Sequence, residues 1–292
     1  MLGNAKQINN PQHNRLYVVG YGRSGTTIIM EILNSSDEIF LFSELNLHVL
    51  RRNTEAFVKY GGNNFIEHYA ERKKMELTYG SKGAIPPAPA VLDYRHAIPS
   101  PDEYIDTVGK PYRYIGDKIA TAHRMWDGVA DIDILEEFLE KEEKEDAIII
   151  YTLRRPSENL LSVSKMIPDA DIRSWGRSIA EAMIVVIKSF VRSSNSYLVF
   201  HEDIGRSLIP ELSNLLVVDL PFNPELVGAS HQMTRGHSMP SAEPWVEDLD
   251  ALYKVLYELF RSDSVLKCAR TDEKIREMTM IIDSIRAIVA RV

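Results

Sequence analysis

A glycine-rich segment near the start of the sequence has the residue types of an anion-binding loop. Residues 20–27 read GYGRSGTT, and they follow an apolar run over residues 16–19. Glycines let a backbone approach an anion closely, the loop amides converge on it, and the start of a following helix adds the positive end of its dipole. The segment therefore predicts a strand, a phosphate-binding loop and a helix, in that order.

The spacing inside this loop is that of the P-loop that binds nucleotide triphosphates, with one change. Gly20 and Gly25 have the P-loop spacing, but Thr26 stands where that motif has a lysine for the γ-phosphate. The loop carries a different cation, Arg23, at an internal position instead. A Mg²⁺-dependent P-loop kinase or hydrolase stays open at this point, as does a structural corner with incidental glycines.

A second segment supplies a matching pair of anion ligands. Residues 147–153 form a continuous apolar and β-branched run, which is typical of a strand buried on both faces of a parallel sheet. Arg154 follows directly, and Ser162 lies about two helical turns further on. A guanidinium at a strand end and a hydroxyl on the next helix can converge on one phosphate.

Together, the two segments resemble the signatures of sulfotransferases that use 3′-phosphoadenosine 5′-phosphosulfate (PAPS), especially the bacterial, carbohydrate and tyrosylprotein-type members. The resemblance implies PAPS as the sulfuryl donor, 3′,5′-ADP (adenosine 3′,5′-bisphosphate, PAP) as the product, and no metal. It implies that the 5′-phosphosulfate is bound by Gly22, Arg23, Ser24, Gly25, Thr26 and Thr27. For the 3′-phosphate it implies Arg154 and Ser162.

Two further residues have catalytic roles under the same resemblance. Glu44 follows a short predicted strand over residues 39–42, and Lys118 ends a G-D-K element after a predicted strand over residues 112–115. The resemblance implies that Glu44 takes the proton of the acceptor hydroxyl. It implies that Lys118 stabilises charge on the bridging oxygen as the sulfuryl group departs. The sequence leaves open whether a histidine is the base instead of Glu44.

The candidate residues share a position relative to the predicted strands. Arg23, Glu44, Lys118 and Arg154 each lie just past the C-terminal end of a strand, and open parallel sheets bind their ligands at that edge. We therefore expect an α/β fold with a doubly wound central parallel sheet and helices on both faces. A helical and loop insertion is expected to lie over the active site.

The expected organisation is a single sulfotransferase domain over residues 14–292, preceded by a flexible N-terminal tail over residues 1–13. An insertion over about residues 52–110 includes a stretch rich in proline and glycine, which favours irregular structure. Long irregular segments in compact domains are often lids or binding loops. We expect this insertion to form the acceptor side of the site, with Tyr94 and His96 near the pocket.

Composition limits the class of protein further. With 292 residues, 45% of them hydrophobic and 26% charged, the chain can bury a sizeable core. No apolar run approaches a membrane-spanning length, and the single cysteine, Cys268, excludes an internal disulfide and disfavours a cysteine-built metal site. These features favour a cytoplasmic location for the protein. A net charge of −8 argues against a nucleic-acid partner.

Four remaining patterns are given structural roles. A helix predicted over residues 134–145 carries a run of glutamates that we expect to lie in solvent. The acidic pair of an H-E-D element at residues 201–203 is expected to cap or order its neighbourhood. Apolar residues recur at helical spacing over residues 246–260 and 272–291, which predicts core packing or a homodimer face.

The function expected from the sequence is transfer of a sulfuryl group from PAPS to an acceptor hydroxyl, on a carbohydrate or a small molecule, by in-line displacement. Two alternatives are kept. One is a P-loop nucleotide kinase or NTPase-like enzyme, and the other is a non-catalytic nucleotide-binding module. The sequence does not identify the acceptor, the residues that contact adenine, or the oligomeric state.

Overall fold

A parallel sheet lies at the centre of the computed structural model, which describes residues 14–52, 112–121, 125–126, 129–167, 169–205, 207–221, 243–261 and 263–292. The strands are β1 (Asn14–Tyr21), β2 (Ile39–Ser43), β3 (Tyr114–Thr121), β4 (Met125–Trp126), β5 (Val129–Ala130), β6 (Ile148–Leu153) and β7 (Ser196–Phe200). In the main sheet the strand order is β2-β3-β1-β6-β7, and every neighbouring pair is parallel. The short strands β4 and β5 form a separate antiparallel pair.

Helices connect and cover these strands. In chain order they are α1 (Thr26–Leu33), α2 (Leu47–Arg52), α3 (Asp131–Lys144), α4 (Pro156–Met166), α5 (Ile172–Arg192), α6 (Leu208–Leu216), α7 (Pro244–Leu259) and α8 (Asp272–Val289). A 3₁₀ turn, His201–Asp203, follows β7. Among the described residues, no helix is long and apolar enough to cross a membrane.

The central strand β1 determines where the glycine-rich loop lies. It pairs with β3 on one side, up to the match of Tyr21 with Thr121, and with β6 on the other, up to the match of Gly20 with Thr152. Both neighbours run parallel to it, so the C-terminal ends of these strands meet at one edge of the sheet. The loop after β1 therefore begins at that edge.

Side chains on the two faces of the sheet pack into two separate core layers. Tyr17 and Val19 of β1 face one layer, which is covered by α3, α5, α7 and α8. Leu16 and Val18 face the other layer, which is covered by α1 and α6. Helices therefore lie on both faces of a parallel sheet, and the expected doubly wound α/β architecture is confirmed.

The C-terminal helical patterns belong to the core. Leu249 and Leu256 of α7, with Ile281 and Ile285 of α8, are buried in the same layer as Tyr17. Core packing thus accounts for these apolar positions. The expected tail and most of the expected insertion, residues 1–13 and 53–111, lie outside the described residues, as do Tyr94 and His96.

Two expectations about local structure are wrong. Strand β3 continues through Thr121, so Lys118 lies within a strand and not past its end, because β1 and β2 pair with it on both sides. The run of glutamates on α3 is not uniformly solvated. Glu142 is fully buried and forms an ion pair with Arg51 of α2. A charge that lies this deep is retained because it has a partner of opposite charge.

Candidate active site

The loop after β1 makes a tight turn into α1. The N–H of Gly22 donates to the carbonyl of Thr121 at 2.8 Å, and the N–H of Ser24 donates back to Tyr21 at 3.0 Å. Arg23 and Gly25 have positive φ values of 73° and 103°. A side chain at position 25 would be strained by that backbone, and its Cβ would lie 2.7 Å from Cδ1 of Ile204.

The N-terminus of α1 is arranged to receive an anion. The helix begins at Thr26, and no side chain caps it from the N-cap residue Gly25. The first N–H groups of a helix have no acceptor within the helix, and they carry the positive end of its dipole. Thr26, which is buried, and Thr27, which is half-buried, are the first two residues of the helix and contribute two of these amides.

A buried hydrogen bond fixes the loop to the neighbouring strand β6. The hydroxyls of Ser24 and Thr152 are 2.7 Å apart. A methyl group on Gly20 would lie 2.2 Å from Thr152 Oγ1 and 2.5 Å from Ser24 Oγ. Gly20 is therefore required by this close approach, and the hydroxyl of Ser24 is turned toward β6.

The second group of anion ligands lies directly against the first. Arg154 follows the last residue of β6, and its Nη1 donates to the carbonyl of Arg23 at 3.1 Å. The Nε of Arg23 donates to the hydroxyl of Ser162 on α4 at 3.1 Å. The structure thus brings together the loop cation, the strand-end arginine and the helix serine that the sequence analysis selected from separate segments.

The charges in this cluster favour an anionic ligand. Burial lowers the pKa of Arg154, Glu158 raises it, and the nearby cation of Arg23 lowers it further. Glu158 lies 3.5 Å from Nε of Arg154 and offsets part of that charge. The buried Nη2 of Arg154 has no hydrogen-bond partner among the described residues. A phosphate oxygen would supply an acceptor for it and would reduce the repulsion between the two guanidinium groups.

Glu44 and Lys118 form a second cluster on β2 and β3. The N–H of Glu44 donates to the carbonyl of Lys118 at 3.0 Å, and the Lys118 ammonium forms an ion pair with the Glu44 carboxylate. The Lys118 side chain is 4% exposed, whereas that of Glu44 is 30% exposed. The carboxylate of Glu44 is therefore partly open to solvent, while the ammonium is shielded from it.

Three residues that support these clusters were missed by the sequence analysis. Asp117 received no role, Thr152 stood inside an apolar run, and Asp250 lay in a pattern interpreted as core packing. The carboxylate of Asp250 accepts from the N–H of Ser157 at 3.0 Å and from its hydroxyl at 2.5 Å, at the start of α4. The sequence did contain a signal for Thr152, because a threonine is unusual within a run of aliphatic residues. The sequence carried no comparable signal for Asp250.

The acidic pair after β7 has a structural role, as expected, but it acts on a distant helix. Glu202 accepts a hydrogen bond from the Tyr253 hydroxyl at 2.5 Å, and Asp203 accepts one from the Tyr257 hydroxyl at 2.9 Å. Both tyrosines belong to α7. Burial raises the pKa of Glu202. The ring of His201 lies against the glycine loop, since a Cβ at Gly25 would be 3.0 Å from its Cδ2.

The described residues contain no group of three or more His, Cys, Asp or Glu side chains arranged to hold a metal ion. The polar groups at the C-terminal edge of β1 and β6 are mainly cations, hydroxyls and backbone amides, with the carboxylate of Glu158 beside Arg154. This set of donors suits a ligand with several negatively charged oxygens.

The fold is that of a sulfotransferase domain. The sulfotransferase domain of the Synechococcus PCC 7002 olefin synthase is similar in structure, with a TM-score of 0.51 and 13% sequence identity, over 86% of this chain and 98% of that chain. The mouse sulfotransferase SULT7A1, in complex with PAP, aligns with a TM-score of 0.36 and 12% identity, over 96% of this chain and 88% of that chain. No protein-family model matches the sequence, and no curated protein matches it. The first likeness confirms the fold that the sequence analysis expected.

Proposed function

We propose that this protein is a PAPS-dependent sulfotransferase that transfers a sulfuryl group to a hydroxyl of a carbohydrate or a small molecule. The observation that carries the proposal is the convergence of Arg23, Arg154 and Ser162 beside the open N-terminus of α1. These groups come from two separate segments, and together they offer more anion-binding donors than one phosphate needs. A donor with a phosphate at each end fits them.

The residues fit PAPS at both of its anionic ends. Residues 22–27 would hold the 5′-phosphosulfate through loop amides and the dipole of α1, and Arg154 with Ser162 would hold the 3′-phosphate. The buried Nη2 of Arg154, which has no hydrogen-bond partner in the described part of the chain, is the donor that a phosphate oxygen would satisfy. When bound, PAPS supplies an activated sulfuryl group, with PAP as the leaving product.

The catalytic work of the chain lies in the Glu44 and Lys118 pair. Glu44 accepts the proton of the acceptor hydroxyl, because its carboxylate is partly exposed and lies beside the Lys118 ammonium. Lys118 holds a positive charge at the same position and stabilises the charge that develops on the leaving oxygen. The ion pair orients both side chains before the acceptor enters.

One residue distinguishes the proposed sulfotransferase from a P-loop kinase. Thr26 lies at the start of α1, where a kinase or an NTPase would place its γ-phosphate lysine. Calorimetric titration with PAP and with Mg²⁺-ATP tests this difference. We expect PAP to bind at least tenfold more tightly, roughly the effect of one or two charge-assisted hydrogen bonds. Preferential binding of Mg²⁺-ATP would contradict the proposal.

A pair of adjacent arginines provides a matched control. Arg154→Ala removes the buried guanidinium, and we expect PAP affinity to fall about ten- to a hundredfold. Arg155→Ala removes the exposed neighbour, and we expect a change of less than about twofold. Equal losses in both variants would mean that PAP binds by general charge attraction and not at the proposed site.

The acceptor is tested separately with radiolabelled PAPS. A panel of sugars, phenols, aliphatic alcohols and tyrosine peptides is incubated with the protein, and labelled products are separated from the donor. We expect label on a sugar or small-molecule hydroxyl. PAP binding without label on any acceptor would favour the non-catalytic nucleotide-binding module. The cytoplasmic location expected from the sequence stays a prediction.

A further inference from the structure

Asp117 is a buried carboxylate beside the catalytic pair that has no role in the proposed chemistry. It lies on β3, next to Lys118 and opposite Phe42 of β2, and it is fully buried. Burial of an acidic side chain is unfavourable unless hydrogen bonds compensate for it. The hydrogen-bond partners of this carboxylate therefore indicate which part of the structure it stabilises.

Both oxygens of Asp117 bind the turn that carries Glu44. Oδ1 accepts from the N–H of Leu45 at 3.1 Å, and Oδ2 accepts from the N–H of Leu47 at 3.2 Å. Leu47 is the first residue of α2, so the carboxylate also lies at the start of that helix. One side chain on β3 thus fixes two backbone groups of the β2–α2 turn.

This turn has a backbone that requires such support. Glu44 and Asn46 have φ values of 59° and 60°, in the left-handed region that non-glycine residues rarely adopt. Such a backbone conformation is strained and persists only when its surroundings hold it. The Asn46 side chain donates to the carbonyl of Glu44 at 3.1 Å, and the buried side chains of Leu45 and Leu47 anchor the alternate positions.

We propose that Asp117 is a positioning residue that acts through the β2–α2 turn to hold the Glu44 carboxylate against Lys118. The inference rests on the proposed function for its catalytic meaning, because it assumes that Glu44 is the base. As a positioning residue, Asp117 acts without contacting the donor or the acceptor. It keeps Glu44 in the backbone conformation in which its side chain contacts the Lys118 ammonium.

The principal test is Asp117→Asn, made in the wild-type protein and in Glu44→Gln. Asparagine has the same shape, but its amide group faces one of the two backbone N–H donors. We expect PAP affinity to change less than about twofold, the KM for PAPS to stay constant, and kcat for the best acceptor of the panel to fall at least about tenfold. In Glu44→Gln the same substitution is expected to lower kcat by no more than about twofold, since the residue through which it acts is already absent.

Tyr114→Phe is the matched control. It removes a buried hydrogen bond at the other end of β3, from the Tyr114 hydroxyl to the carbonyl of Leu216 at 2.9 Å. We expect it to lower stability and to leave kcat unchanged. An Asp117→Asn effect of equal size in both backgrounds would show a general structural role and would overturn the inference. A wild-type kcat in Asp117→Asn would overturn it as well.

Amide hydrogen exchange tests the same contact without turnover. In the wild-type protein we expect protection of the Leu45 and Leu47 amides, and at least about tenfold faster exchange at both in Asp117→Asn. Unprotected amides in the wild type overturn the inference even if no variant folds. Failure of the proposed function is seen differently, as absence of PAP binding and of labelled acceptor in the wild type.

Discussion

Arg23 and Arg154 show how single residues define this site. Two guanidinium groups that approach without an anion repel each other, and burial makes the charge of Arg154 still less favourable. The fold nevertheless brings Arg154 to the backbone of Arg23, and Arg23 to the hydroxyl of Ser162. Such an arrangement is expected where function requires a binding site for a multiply charged anion.

The substitution Glu44→Gln is expected to separate donor binding from the chemical step. The amide cannot accept the acceptor proton, so we expect kcat to fall by about a hundredfold or more, while PAP affinity stays within about threefold. The rate is measured with radiolabelled PAPS and the acceptor from the panel. Glu38→Gln, at an exposed position just before β2, is the control and should retain full activity. A Glu44→Gln enzyme with normal kcat would show that another residue is the base.

Gly25→Ala tests the backbone of the loop. The positive φ of Gly25 and the nearness of Ile204 and His201 both oppose a side chain there. We expect a loss of about 1–3 kcal/mol in the free energy of unfolding, together with weaker PAP binding. Urea unfolding and calorimetry measure the two effects. Gly205→Ala, where the nearest atom to an added Cβ is 3.9 Å away, should lose much less stability.

Among the elements, α4 depends on α7 for its start. The N-cap residue of α4, Arg155, provides no side-chain cap, and Asp250 of α7 fills that role from outside. Because Arg154 precedes α4 and Ser162 lies on it, the cap also fixes the ligands proposed for the 3′-phosphate. A helix far along the chain therefore supports the segment that carries residues of the candidate site.

This dependence predicts the behaviour of Asp250→Ala. Loss of an N-cap hydrogen bond costs about 1 kcal/mol, and we expect that loss of stability with PAP affinity reduced about three- to tenfold. Asp248→Ala, on the same helix, removes an exposed ion pair with Arg291 and should change neither quantity by much. Unfolding in urea and calorimetry provide the measurements. Unchanged PAP affinity in Asp250→Ala would mean that α4 positions its residues without the cap.

The elements also show which parts of the fold the sequence could predict. Continuous apolar runs identified β1 and β6. A strand that is buried on both faces is apolar at nearly every position, so it is recognisable from the sequence. The length of β3 was not predictable in this way. Its residues Gly116, Asp117 and Lys118 have poor strand propensity, and pairing with β1 and β2 overrides that preference.

The site was predictable to the extent that local spacing defines it. Arg154 and Ser162 are near in sequence, and the helix geometry between them could be inferred. The burial of Glu142 depends on Arg51, which lies on a different helix far away in the sequence, and the role of Asp117 depends on a turn after another strand. Such long-range partners leave no local pattern, so a single sequence cannot show them.

For the molecule as a whole, the buried Asp117 predicts a particular pH dependence of stability. Burial raises the pKa of Asp117 to about 7, the two backbone hydrogen bonds and Lys118 oppose that change, and Glu44 adds to it. The unfolded value is about 3.9. The folded state therefore binds the proton more tightly, and its stabilising contribution is complete below about pH 4 and is lost as the pH rises through about 7.

Asp117→Asn does not titrate at this position and isolates the effect. We expect the stability of the wild-type protein relative to Asp117→Asn to fall as the pH rises from about 4.5 to 7, and to level off above about 8. Urea unfolding at several pH values measures the difference. Parallel curves for the two proteins across that range would contradict the raised pKa.

The position of β1 in the sheet also has a consequence for how the chain reaches its native state. β1 is the central strand of the main sheet, and its two neighbours, β3 and β6, begin much later in the chain, at Tyr114 and Ile148. Contacts this distant in sequence give a high contact order, which slows folding. Until β6 has been synthesised, at least one edge of an apolar strand stays open to other chains. This open edge makes the partly folded chain prone to pair with other chains.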